Sequence, residues 1–204
     1  TLVLTVGDSM QKCAAPLQEK NPAIRHQHFS HLSGLEATDG LIELLMTESG
    51  IKLPQTNIVR WRKRLQDAML DSHFSLGQTR FLVAGEPDQL AGICQSLYEA
   101  GGRVTVAIST VDSPQLETIR ASRVLVGDLE DAEKLTDEYD LIIGNFHCEA
   151  LAHRKHKGLV TRGFPNCEQV GNALTNDLLY ERGAYFLFEC ANAAEEMRGH
   201  SAAS

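Results

Sequence analysis

Apolar positions along the chain alternate between two patterns: short unbroken apolar runs, and longer stretches in which apolar residues recur every three or four positions. The runs Leu2 to Val6, Phe81 to Gly85, Val104 to Ile108, Arg123 to Val126, Asp140 to Gly144 and Leu159 to Thr161 read as strands. Ile24 to Phe29 reads as another, with His26 and His28 in alternation. Between them the spacing predicts helices over Met10 to Lys20, Leu35 to Ser49, Pro87 to Ala100, Asp131 to Asp137, Cys148 to Lys155, Glu168 to Asn172 and Leu178 to Met197. In the second of these Ala37, Leu41, Leu44 and Leu45 share a face and Gly50 is the terminator. A long helix opens at Pro54, with Ile58, Trp61, Leu65, Met69 and Leu76 on its apolar side.

Strands that lack polar alternation and are separated by helices belong to parallel sheets covered on both faces. The expected class is therefore α/β, built from Rossmann-like parallel-sheet domains: a partial first unit over residues 1–53, a connecting helix over 54–76, and a complete Rossmann-like unit with a C-terminal helix over 77–204. The first seven residues begin inside a strand pattern, so the chain is expected to be a piece of something longer.

Composition narrows the function. With 43% hydrophobic residues in 204, the chain can bury a core. Lys and Arg number 19 against 27 acidic residues, for a net charge of −8, which gives no field for a nucleic-acid backbone. No run of 18 apolar residues occurs, so no membrane span is expected. Cys13, Cys94, Cys148, Cys167 and Cys190 lie far apart without a CxxC pair, which points to a reducing, cytoplasmic setting.

In such sheets ligands bind beyond the carboxyl ends of the strands. Gly85 to Asp88, Ser109 to Asp112, Gly127-Asp128 and Gly144 to His147 occupy those ends. The first lacks GxGxxG, and Glu86 and Asp88 would repel a pyrophosphate; GxxxxGK[ST] and GxSxG are absent too. His147 and Cys148 with His153 and His156 could hold a metal, or could form a solvated helix end favoured by the helix dipole. His26, His28 and His31 could meet a ligand or lie on a surface. Asp67 and Asp71 share a helix face near His73 and could seek a cation across a domain boundary. Cys167 has no evident His partner and reads as an inert thiol. No catalytic residue and no metal ligand is assigned, and cofactor-binding residues are left open.

Several short segments carry a resemblance. Gly34-Leu35-Glu36-Ala37-Thr38-Asp39, the helix segment Arg60 with Arg64 to His73, Arg80 to Asp88, Val126 to Asp131, Asp140 to His147, Arg162 to Pro165 and Leu179 to Gly183 resemble, in order and spacing, segments of the β-type subunits of the nitrogenase component 1 superfamily. Glu86 stands where that family usually has Asp, His147 replaces a small residue, and Asn166-Cys167-Glu168 departs from the usual sequence after G-F-P.

Three members compete: the nitrogenase molybdenum-iron protein β subunit, the β-like subunit of the scaffold for iron-molybdenum cofactor assembly, and the related reductase subunit of chlorophyll synthesis. The E-A-T-D segment disfavours the last, and short connections between Ile108 and Arg123 and between Asn145 and Arg162 disfavour the first. A non-catalytic α/β interaction fragment is the alternative from outside the enzyme class. The scaffold resemblance implies a heterotetramer with an α-like scaffold subunit and transient contact with the nitrogenase iron protein and with apo-nitrogenase. It also implies an iron-molybdenum cofactor precursor held on the α-like subunit while molybdenum and homocitrate are inserted. A [4Fe-4S] cluster would be held partly by an upstream domain, so no cofactor is expected on this stretch of chain.

Overall fold

The computed structural model describes residues 1–166, 171 and 176–203, with side chains through residue 199. The expected helix around Glu168 to Asn172, and Cys167, lie outside the described residues. The chain runs β1 (Leu2–Val6), a 3-10 segment (Asp8–Ala14), α1 (Ala15–Lys20), β2 (Arg25–Phe29), α2 (Gly34–Ser49) and α3 (Thr56–Gly77). It continues through β3 (Arg80–Ala84), α4 (Pro87–Glu99), β4 (Arg103–Ser109), β5 (Arg123–Val126), α5 (Leu129–Lys134) and β6 (Leu141–Gly144). The last elements are α6 (Cys148–Lys155), β7 (Gly158–Thr161) and α7 (Tyr180–Ala203).

β1 and β2 form a parallel pair, and the remaining strands form one parallel sheet in the order β5-β4-β3-β6-β7. The chain enters that sheet at its centre, builds outward to one edge, and returns to build the other half. The change of direction falls between β3 and β6, whose following helices α4 and α6 pack on opposite faces of the sheet, so a crevice opens at their carboxyl ends.

Alternate residues of the central strands enter different cores, as the two-residue period of a strand requires. Phe81, Val83 and Ile143 join Leu65, Leu76, Leu90, Leu97 and Phe186 on the side of α3, α4 and α7. Leu82, Val106, Ile108 and Ile142 join Tyr139 and Leu151 on the side of α5 and α6. Both faces are apolar, so the strands read as continuous runs. Each fully buried large side chain contributes on the order of 1.5–3 kcal/mol.

The boundaries differ from expectation in places with a local cause. α3 starts at Thr56 because Gln55 is still extended. The stretch from Met10 to Lys20 is 3-10 up to Ala14 and becomes α-helical only at Ala15, beside Pro16, whose missing N–H breaks a continuous ladder. α5 begins early, at Leu129, because Asp128 and Asp131 form a reciprocal capping box.

α2 is also turned relative to its expected apolar face. Leu35 and Ile42 pack on the core and Thr38 is buried between them, while Leu45 remains 45% exposed. Thr38 can be buried because its hydroxyl reaches the carbonyls of Gly34 at 2.6 Å and Leu32 at 2.9 Å.

One face of α4 seats the elements before it. The carboxyl of Asp88 accepts the Asp8 amide at 2.7 Å and the Ser9 hydroxyl. One helix turn further along the same face, Gly92 lets the chain at Ser33 approach so closely that a Cβ would lie 2.5 Å from its Oγ. At the end of α4, Glu99 accepts the Leu35 amide at 2.5 Å and the Glu36 amide at 3.4 Å, which caps the N-terminus of α2 from another element.

Candidate functional site

A cavity of about 570 Å³ opens at the crevice between β3 and β6. Its floor is made by Ala84, Ile108 and Cys148, and its rim by Glu86, Asp128, Glu130 and His147. All four strand-end peptides singled out from the sequence lie at or beside it, because parallel strands place all their carboxyl ends on one side. Of the second strand-end group, Thr110 lines the cavity, whereas Asp112 lines a neighbouring groove.

The rim is held by hydrogen bonds between the Asn145 side chain and the backbone, and by one backbone–backbone bond. Asn145 Nδ2 donates to the Phe164 carbonyl at 3.2 Å, and Asn145 Oδ1 accepts the His147 amide at 3.2 Å. The Phe146 amide donates to the Pro165 carbonyl at 3.4 Å. The rings of Phe146 and His147 lie 4.0 Å apart. Phe164 projects from this framework with 88% of its surface exposed. Asp128 Oδ1 is engaged by the amides of Glu130 at 2.8 Å and Asp131 at 3.2 Å.

Burial pushes the Cys148 thiol up to about 12, so it stays protonated and weakly nucleophilic at neutral pH. No described side chain pairs with it as a base. The three acidic groups on the rim oppose a phosphate, in keeping with the reading of the Gly85 to Asp88 turn.

The histidine groups separate. His26 and His28 are brought together, both reaching the Thr5 hydroxyl, whereas His31 makes no contact with Thr5 and lines, with His28, Glu36, Glu99 and Arg120, a second cavity of about 440 Å³. Burial lowers the His31 pKa, against the opposing pull of Glu99. Cys148 points inward while the His153 side chain is 80% exposed and lies 3.8 Å from Glu149, so these two do not converge. His156 takes the left-handed cap that ends α6. Asp67 and Asp71 are exposed, and His73 Nδ1 lies 3.2 Å from the Ala100 carbonyl.

Among the described residues no group of three or more His, Cys, Asp or Glu side chains could hold a metal ion. Cys94 and Cys190 are buried on one side of the sheet and Cys148 on the other, so the described cysteines do not fit the ligand set of an iron-sulfur cluster. No described helix is long and apolar enough to cross a membrane.

Sequence reasoning missed Thr5, Asp8, Asp88 and Glu99 as partners. Their contacts span 20 to 80 positions, and no local period signals them.

Comparison with known proteins places the chain more narrowly. The family model described as nitrogenase component 1 type oxidoreductase matches residues 1–195. The nitrogenase iron-molybdenum cofactor biosynthesis protein NifN of Nostoc sp. (strain PCC 7120) is 36% identical over 198 residues, which is 96% of this chain and 44% of that protein. The protein of the same name from Klebsiella pneumoniae is 34% identical over 174 residues, covering 84% of this chain and 38% of its own length. The chain thus spans less than half the length of these curated relatives. The solved structure described as nitrogenase Cp1 at pH 6.5 superposes with a TM-score of 0.84 at 22% identity, over 96% of this chain and 45% of that one, and shares its fold.

Proposed function

Because the chain belongs to the nitrogenase component 1 type oxidoreductase family, we propose that it is part of the β-like subunit of the scaffold on which the nitrogenase iron-molybdenum cofactor is assembled. The observation that carries this reading is the match to NifN proteins, which runs along nearly the whole chain. The cavity agrees with it. It offers a shaped, rimmed crevice without a nucleophile and base in contact, which suits a subunit that supports a step performed by bound cargo and partner proteins.

On this reading residues 1–53 are part of one α/β domain, 54–76 the connecting helix, and 77–204 a second domain. The protein works in the reducing cytoplasm beside an α-like scaffold subunit, in a heterotetramer. The iron-sulfur precursor is the cargo, matured by insertion of molybdenum and homocitrate. The nitrogenase iron protein and apo-nitrogenase are transient partners. The described residues hold no catalytic and no metal-binding role, and a permanent [4Fe-4S] cluster would draw its ligands from elsewhere in the complex.

The alternative is the β subunit of the molybdenum-iron protein. Co-expression of the complete protein with its α-like partner in a strain lacking the structural nitrogenase genes separates the readings. An iron-rich complex, purified anaerobically, that activates cofactor-free nitrogenase supports the scaffold; one that reduces substrate by itself makes the chain part of the β subunit, and an iron-free monomer leaves an α/β interaction module.

A further inference from the structure

Thr5 on β1 is 7% exposed and meets two imidazoles with its one hydroxyl. His28 Nδ1 lies 3.0 Å from Thr5 Oγ1 and His26 Nε2 lies 2.8 Å from it. The other nitrogen of His28, Nε2, lies 2.9 Å from Asp8 Oδ1. The parallel register creates this arrangement by pairing Thr5 with His28 and Val3 with His26, so the two rings flank the hydroxyl from one face.

The hydrogen count in this chain is constrained. A carboxylate only accepts, so His28 Nε2 carries a proton and donates to Asp8. Neutral His28 then has a bare Nδ1, which accepts the Thr5 hydroxyl. The Thr5 oxygen in turn accepts from His26 Nε2–H, leaving His26 Nδ1 bare. Apart from His26 Nδ1 each of these atoms has its partner, and all donors point toward Asp8.

We propose that Asp8, His28, Thr5 and His26 form a one-proton relay, a site whose ligand is a single proton taken up at His26 and held on His28 beside the Asp8 carboxyl. A proton joins His26 Nδ1. His26 passes its Nε2 proton to the Thr5 oxygen, and Thr5 passes its original proton to His28 Nδ1. The products are neutral His26 with its N–H on Nδ1 and a His28 imidazolium. No hydrogen bond is lost, and the two at Thr5 reverse direction.

A second proton is resisted, because two imidazolium N–H groups would then face one buried hydroxyl whose own hydrogen has no acceptor. The charged groups around the relay are Asp8 from the 3-10 segment and, across the cavity that His28 lines, Glu36, Glu99, Arg120 and His31. Arg25, beside His26, is paired with Glu48. The Asp8 amide is seated on Asp88 of α4, so the relay ends at the contact that docks β1 onto the large sheet unit.

The test is nitrogen-15 magnetic-resonance spectroscopy of the intact protein labelled at histidine, with His26→Gln and His28→Gln used for assignment. On acidification His28 gains a proton while His26 stays neutral and moves its N–H from Nε2 to Nδ1. Thr5→Val abolishes the tautomer change and leaves His28 protonation in place, and Thr5→Ser retains it. A His26 that keeps its Nε2–H throughout, or two rings that protonate together in the natural sequence, overturns the relay, and so does a tautomer change that survives Thr5→Val.

Discussion

Asp39 on α2 and Arg62 on α3 face each other as a two-pronged ion pair, with Arg62 Nε 2.9 and 3.0 Å from the two carboxyl oxygens and Nη2 2.7 Å from Oδ2. The Tyr180 hydroxyl at the start of α7 donates to Oδ1 at 2.5 Å. Three helices that meet over the sheet are thereby joined through one carboxyl group. Its burial alone would raise the pKa, but the hydrogen bonds from Arg62 and Tyr180 outweigh burial and hold Asp39 below the usual carboxylate range. Asp39 is the last residue of the G-x-E-A-T-D segment, so that sequence signature has a physical role here as a helix clamp.

Asp39→Asn therefore destabilises the fold by about 1 kcal/mol at neutral pH, a figure reduced for the solvent screening of a partly exposed pair. A depressed carboxyl contributes stability above its unfolded value, near 3.9, and loses it as pH falls through the folded value. Urea titrations should show the two proteins differing fully at pH 7 and converging in acid.

Glu99 replaces the missing local cap of α2, whose Ser33 makes no side-chain capping bond. Glu99→Gln removes charge from a helix N-terminus and weakens the bond to the Leu35 amide, at a cost of about 1 kcal/mol. Hydrogen exchange should accelerate at Leu35 and Glu36 while the amides of β3 and β6 stay protected.

Gly34 has φ of 86°, and a Cβ there would lie 2.6 Å from Glu99 Oε2. Gly34→Ala combines left-handed strain with displacement of the cap and should cost about 2 kcal/mol. Thermal denaturation measures it. A loss under half that size would mean that Glu99 rearranges freely.

Burial pushes the thiols of Cys94 and Cys148 up to about 12 and raises that of Cys190 further, while Cys13 is exposed. Brief treatment of the native protein with a maleimide near pH 7.5 should modify Cys13 and spare these three, as read by peptide mass spectrometry. Denaturant should make all four react.

Much of this fold was legible in the sequence because apolar runs flanked by helical spacing leave few alternatives to a covered parallel sheet. The strand ends that form the large cavity were legible for the same reason. The orientation of α2 was not, since Leu41, Leu44 and Leu45 are as apolar as Leu35 and Ile42, and the choice was settled by Thr38 finding two carbonyl acceptors. The roles of Asp88 and Glu99 were equally hidden. In the sequence both look like ordinary helix-surface acids, and their partners are amides, which every residue but proline carries. His26 and His28 could be placed on one strand face, but Thr5 as their common partner needed the register of β1 against β2.

The scaffold role is tested most directly by activation of cofactor-free nitrogenase. The complete protein, purified anaerobically with the proposed α-like partner from cells lacking the structural nitrogenase genes, is mixed with the apo-enzyme, molybdate, homocitrate, reductant, the iron protein and ATP. Recovery of substrate reduction that depends on this complex and on molybdate supports assembly on the scaffold. A complex that reduces substrate by itself, without the apo-enzyme, contradicts it and makes the chain part of the catalytic β subunit.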